Sequence, residues 1–277
     1  MTEGGESAPV PKWLENLLLE QTGEVLWVTL NRPERLNALS QALIAELYTL
    51  FSSLSERRDV RVVVLRGAGR AFCAGLDLKE RSATGYPDVA SHLEGQRTVS
   101  RIVVAMRRCP QPIIALVGGA ASGGGMALAL ASDIRIGTPT ARMNAAFIRI
   151  GLSACDMGVS YFLPRMVGSS VAAEYMLTGR FIEAPRAREL GLFSCLVDAA
   201  ALEAEGRALA EDMLRATPLG LKLTKEALNH AIDAQGLEAV IALEDRNQVL
   251  CARDGSFQEG IAAFLEKRAP RHTSLGE

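Results

Sequence analysis

Three consecutive glycines, Gly123, Gly124 and Gly125, stand between a short apolar run and an alanine- and leucine-rich segment in the stretch QPIIALVGGAASGGGMALALASD, residues 111–133. Ile113, Ile114, Leu116 and Val117 read as a buried strand too short for a helix, and the glycines fall where a helix begins. The first amides of a helix have no intrahelical acceptor and sit at the positive end of its dipole. With no Cβ in the way, a ligand atom can come close. The chemistry such a site favours is stabilisation of an oxygen that gains negative charge, because fixed donors hold developing charge without reorganising. A second segment, RVVVLRGAGRAFCAGLDLKE at residues 61–80, repeats the order of apolar run, glycines and small-residue loop. Ala74 and Gly75 there offer further N–H groups. Two donors on separate loops, each after a strand, can hold one oxygen from two sides. Taken alone, a glycine cluster between strand and helix is more often plain turn chemistry.

The elements that must position these loops are legible as an alternation. Residues 17–19 and 25–30 read as a hairpin, and the loop NRPERLNALS follows, with Ser40 placed to cap a helix at 41–56 whose Leu43, Leu47, Leu50 and Leu54 share a face. Strands are expected at 61–65 and 113–117, and helices at 89–108 and 124–131. That pattern predicts a parallel sheet with helices packed outside and ligands in loops at the carboxyl ends of strands. Residues 134–136, 142–146 and 193–197 read as further strands, and 158–167 and 171–177 as helices broken at Gly168. From residue 199 the composition turns to Ala, Leu and Glu, which predicts helices at 201–216, 219–234, 237–251 and 256–267. Their apolar stripes must pack on their own core or on a neighbour's, so oligomerisation is expected.

Composition narrows the function. The chain has 277 residues, is 48% hydrophobic, and carries a formal net charge of −2, so it can bury a large core and shows no basic face for nucleic acid. Five scattered cysteines without CxxC pairs and three histidines far apart in sequence argue against a zinc site and fit a reducing, cytoplasmic setting. Cys73 has no His near it in sequence and reads as a small buried packing residue rather than a nucleophile. GGAASGGG lacks the dinucleotide-binding spacing. Residues 1–12 read as a polar leader without signal-peptide character, and no run has the length of a membrane span.

Four motifs in order, LNRPERLNALS (30–40), RAFCAGLDLKE (70–80), GGAASGGGMALA (118–129) and IGLSACDMGVSYFLPRMVG (150–168), resemble the crotonase superfamily, also called the enoyl-CoA hydratase/isomerase family. The resemblance runs from about residue 17 to residue 267. It implies an α/β fold, a crotonase-like spiral of ββα units over residues 13–198, followed by a helical trimerisation region over 199–277 and assembly as trimers or pairs of trimers. It implies an acyl-coenzyme A thioester as substrate, with coenzyme A as part of that substrate and no separate cofactor or metal. By the same resemblance the thioester oxygen sits between the amides of Ala74 and Gly124. Arg35, Leu36 and Ala38 flank the pantetheine and adenine end, and Gly75, Leu76, Asp77 and Leu78 line the thioester and adenine side. Lys267 reaches a coenzyme A phosphate from a neighbouring subunit. For Arg35 and Lys267 a solvated surface charge is the alternative.

The sequence departs from the resemblance at both glutamates with which family hydratases handle water. Ala127 and Phe147 stand in their places, and two-carboxylate hydration needs both acids aimed at one water. Asp156 remains nearby, among Ala154, Cys155, Met157 and Gly158, which can desolvate it. Some family members that shift double bonds or open rings use an acid from this segment. The alternative for Asp156 is a cap for the helix beginning near residue 158. A single acid/base suits isomerisation of an enoyl thioester in fatty acid metabolism; a catalytically lapsed acyl-CoA-binding or oligomer-building chain is the competing reading. Asn144, Arg142 and Arg149 are either pocket groups or strand-end groups.

Overall fold

Strands β1 (Leu17–Thr22) and β2 (Val25–Leu30) pair antiparallel around Gly23, whose φ of +57° closes the turn. The computed structural model describes residues 14–272 apart from Tyr86, so the leader expected at residues 1–12 lies outside the described residues. Ser40 caps α1 (Gln41–Ser53), its Oγ accepting from Leu43 N at 3.1 Å, and a 3-10 turn at Leu54–Glu56 completes the segment.

Three similar units follow. The first is β3 (Val62–Gly67), β4 (Ala71–Cys73), α2 (Leu78–Thr84) and α3 (Val89–Arg108). The second is β5 (Ile113–Val117), β6 (Ala120–Ser122) and α4 (Gly124–Ala131). The third is β7 (Ile134–Gly137), β8 (Arg142–Asn144), a 3-10 turn at Ala146–Ile150 and α5 (Val159–Val167). Then come α6 (Ser169–Thr178), β9 (Ile182–Glu183), α7 (Ala184–Glu189) and β10 (Cys195–Leu196). Four helices complete the described residues: α8 (Leu202–Leu214), α9 (Pro218–Ala231), α10 (Leu237–Arg253) and α11 (Ser256–Glu266).

Each unit gives its first strand to one sheet and its second to another. The larger sheet runs β1-β2-β3-β5-β7-β10, parallel from β2 onward, and the smaller runs β4-β6-β8-β9, parallel except for its last pair. This is the ββα spiral. Alternation alone predicts one parallel sheet; the second was hidden because AFC and AAS are three-residue strands, too short to display a period.

The two faces of the larger sheet explain why its strands are apolar throughout. Val63, Leu65 and Ile113 point into the main core with α1 and α3, while Val62, Val64, Ile114 and Leu116 meet Leu202 and Ala210 of α8. A Cβ on Gly206 would lie 2.9 Å from Leu116 Cδ2, so glycine lets α8 sit close on β5. The helix that follows residue 199 thus closes the sheet's outer face. Helix α4 is buried at all eight positions, the expected fate of a helix apolar all round. By contrast α10 and α11 expose Leu237, Ile241, Phe264 and Leu265 to solvent.

Candidate active site

The loop after β2 is pinned by Asn37. Its side chain is fully buried; Nδ2 donates to the carbonyls of Ala68, Ala71 and Phe72, and Oδ1 accepts from Arg32 N at 2.9 Å. Leu36 and Asn37 both adopt left-handed backbone, φ +52° and +56°. So held, residues 36–39 run beside residues 74–77: Ala74 N donates to Leu36 O at 2.9 Å, Leu39 N to Gly75 O at 2.7 Å, and Asp77 N to Leu39 O at 3.1 Å.

These bonds correct one expectation. The Ala74 amide is engaged by Leu36 O and cannot also serve a ligand. The next peptide supplies a free donor for a geometrical reason. Its carbonyl, Gly75 O, points at Leu39, and in a trans peptide the N–H points the opposite way, so Leu76 N–H faces away from that loop. Sequence order alone could not distinguish residues 74 and 76, because which amide faces out depends on the neighbouring loop.

Parallel pairing of β4 with β6 sets the second donor beside the first. Gly123, at φ +53°, donates its N–H to Asn144 O at 2.9 Å and starts α4 with Gly124 in its first turn. A Cβ on Gly75 would lie 3.3 Å from Gly124 N, and one on Gly124 would lie 2.7 Å from Leu39 Cδ1 and 3.1 Å from Met157 Sδ. Among the described residues neither Leu76 N–H nor Gly124 N–H donates to a protein acceptor. Both residues line a cleft of about 340 Å³ with Phe147, Ile150, Leu152 and Met157 for apolar walls. Leu39, Leu76 and Val99 also line a neighbouring groove of about 620 Å³ along α1 and α3.

Asp156 lines the same cleft and is its one carboxylate among the described residues. Its Oδ1 accepts from Gln96 Nε2 at 2.5 Å and from Met157 N at 2.7 Å. Burial pushes its pKa above the ordinary carboxylate range, with those two donors pulling the other way. Its carboxylate does not cap α5: Gly158 occupies the cap position with no side-chain bond, and only the main-chain oxygen of Asp156 meets Val159 N, at 2.9 Å.

The other expected residues divide. Gly75 and Leu78 line the cleft, and Ala74 contributes to its wall. Asp77 does not line it. Its carboxylate caps α2, accepting from Glu80 N at 3.3 Å, and pairs with Arg32 at 3.0 Å. Burial would raise its pKa, yet Arg32, the Glu80 amide and the charge of Arg35 together hold it below the usual value. Arg35 is exposed on a 3-10 turn, and neither it, Leu36 nor Ala38 lines the cleft. Lys267 ends α11 with φ +54° and lines no part of this cleft, its expected partner being a neighbouring copy's ligand. Asn144 is buried and donates to Gly179 O at 3.0 Å, while Arg142 stacks on Phe181, so both are structural. Cys73 is fully buried, its thiol pushed up to about 12 by burial. No group of three or more His, Cys, Asp or Glu among the described residues could hold a metal ion.

Sequence reasoning passed over Gln96, His92 and Arg81, which also line the cleft. His92, Gln96 and Val99 recur at helical spacing on α3, a signal of a shared face but not of what that face meets. Arg81 Nη2 lies 2.6 Å from His92 Nε2. A guanidinium can only donate, so the imidazole nitrogen is the acceptor in that contact.

The profile of the family described as enoyl-CoA hydratase/isomerase matches residues 20–274. The chain belongs to the enoyl-CoA hydratase/isomerase family. A probable enoyl-CoA hydratase of Mycobacterium tuberculosis is 39% identical over 255 residues, covering 90% of each chain. The 1,2-epoxyphenylacetyl-CoA isomerase of Escherichia coli K12 is 35% identical over 263 residues, covering 94% of this chain and 99% of that one. A crystal structure from Streptomyces coelicolor A3(2), 39% identical, superposes with a TM-score of 0.90 and covers 99% of both chains. The enoyl-CoA hydratase of Bacillus anthracis, 33% identical, superposes at 0.88. Family membership makes the chain an enzyme of hydratase or isomerase type. The structure places a fully buried Ala127 inside α4 and an apolar Phe147 in the cleft wall.

Proposed function

We propose that the chain binds an acyl-coenzyme A thioester with its carbonyl oxygen between Leu76 N–H and Gly124 N–H, and isomerises the acyl group with Asp156 as the one proton carrier. The observation that carries this reading is the pair of adjacent, unengaged amides facing a cleft that holds a single half-buried carboxylate. Removing a proton from the α-carbon of a 3-enoyl thioester puts charge on the thioester oxygen, where two fixed donors stabilise it by about 3–4 kcal/mol for each amide. Asp156 takes that proton and returns it to the γ-carbon, so one proton moves and no water is consumed. A carboxylate with a raised pKa is matched to both halves of that task.

Hydration is disfavoured because Phe147 brings an aromatic ring where a second acid would hold water. The glycines by themselves do not argue for catalysis, since a Cβ on Gly125 would lie 2.1 Å from Cys73 O and packing alone demands glycine there. The free amides do. The groove continuing past Leu39 and Leu76 suits an elongated ligand, and the exposed apolar residues of α10 and α11 support assembly with further copies as trimers or pairs of trimers, with Lys267 reaching a neighbour's coenzyme A. A role in fatty acid metabolism is part of the same proposal.

Incubation of the purified chain with 2-enoyl, 3-enoyl and saturated acyl-CoA thioesters in D₂O, followed by mass spectrometry, tests the reading. The expected result is enoyl isomer exchange with deuterium incorporated and no gain of water. Rapid hydration of a 2-enoyl thioester would replace isomerisation, and no turnover of any thioester would leave a binding protein.

A further inference from the structure

We propose that Gln96 is a positioning residue for Asp156: its carboxamide, carried on α3, holds Oδ1 and leaves Oδ2 to meet the substrate carbon. The inference rests on the reading of Asp156 as the proton carrier and adds the group that orients it. Asp156 lies between a 3-10 turn and α5, in a segment with no side-chain helix cap, so no capping bond fixes the carboxylate plane. Two donors fix it instead. Met157 N, at 2.7 Å, is local, whereas Gln96 Nε2, at 2.5 Å, comes from 60 positions away, on α3. A carboxylate only accepts, so the amide nitrogen and not the amide oxygen of Gln96 must face it.

Both donors act on Oδ1. Among the described residues Oδ2 has no hydrogen-bond partner, which makes it the oxygen that can take a carbon-bound proton and give it back. A neutral carboxamide suits the role better than a cation would. It orients the carboxylate without the full charge that would hold the acid too weakly basic to remove a proton from carbon. The other charged or titratable groups lining the cleft are, among the described residues, Arg81 on α2 and His92 on α3, four residues before Gln96, and these engage each other.

The test uses the full chain with Gln96→Leu, which removes the donor at similar volume, and Gln96→Glu, which keeps the shape and adds a like charge. The first readout is the ¹³C carboxyl titration of Asp156, assigned by its disappearance in Asp156→Asn. The expected midpoint rises by about one pH unit in Gln96→Leu, the size typical of a lost hydrogen bond to a charged group, and rises further in Gln96→Glu. Midpoints unchanged in both variants overturn the proposal. The second readout is turnover of the thioester that the wild-type chain isomerises. In Gln96→Leu kcat falls by about tenfold, KM stays within about twofold, and the acidic limb of the pH–rate profile moves up with the titration midpoint; a change confined to KM with an unmoved limb overturns the proposal. If the wild-type chain isomerises no thioester, the reading of Asp156 as proton carrier fails, and the titration alone then decides whether Gln96 holds it.

Discussion

Ala74 N donates to Leu36 O at 2.9 Å, and two residues later Leu76 N–H is turned the other way, beside Gly124. The oxygen-binding pair is therefore set by a contact between the loop after β2 and the loop after β4. Replacing Gly124 by Ala sets a methyl group 2.7 Å from Leu39 Cδ1 and 3.1 Å from Met157 Sδ, both ends of flexible side chains. The fold should survive at a cost of about 1–3 kcal/mol, while displacement of the amide lowers kcat by about 100-fold or more. Steady-state kinetics beside a thermal melt separates the two effects. Gly125→Ala, which meets the Cys73 carbonyl at 2.1 Å, should fail to fold.

Asp156→Asn should remove turnover and leave the protein no less stable at neutral pH. Burial raises the folded pKa of Asp156 above its unfolded value, so the folded state binds the proton more tightly. The group therefore supports folding at acid pH, and that support is lost as pH rises through the folded pKa. Urea unfolding at pH 7 should show Asp156→Asn equal to or above wild type, with the difference closing as pH falls below the ordinary carboxylate range. A large destabilisation at pH 7 would mean that the carboxylate is structural.

Asp77 has the opposite sign. Arg32, the Glu80 amide and the charge of Arg35 outweigh burial and hold its folded pKa below the unfolded value. Its stabilisation is present above the unfolded pKa and is lost as pH falls through the folded one. Asp77→Asn should lower stability at pH 7 by about 1–3 kcal/mol, the range for charge-assisted bonds, and the difference should shrink below about pH 4. Denaturant midpoints across pH would show this directly.

Asn37→Ala should be among the most destabilising single changes. It leaves three carbonyls, those of Ala68, Ala71 and Phe72, without their donor in a buried site, and puts alanine at φ +56° where asparagine is favoured. A loss of about 3 kcal/mol or more is expected, read by urea unfolding. Because this residue holds the loop that engages Ala74, activity should fall further than stability predicts.

Much of this protein was legible in its chain. Ser40 as a cap, the helices at Val89–Arg108 and Gly124–Ala131, and the strand at Ile113–Val117 stood out because caps, helical spacing and apolar runs are local signals. Four motifs in order named the family, whose profile matches residues 20–274. Tertiary structure decided the rest. Only the pairing of β4 with β6 brings Gly75 against Gly124, and only the peptide plane turned by Leu39 makes Leu76 the free donor. Likewise nothing near residue 156 points to Gln96. Residue types and spacings fix which groups a chain owns, whereas the direction of an amide and the partner of a carboxylate depend on segments far away in sequence, which folding brings to within 3 Å.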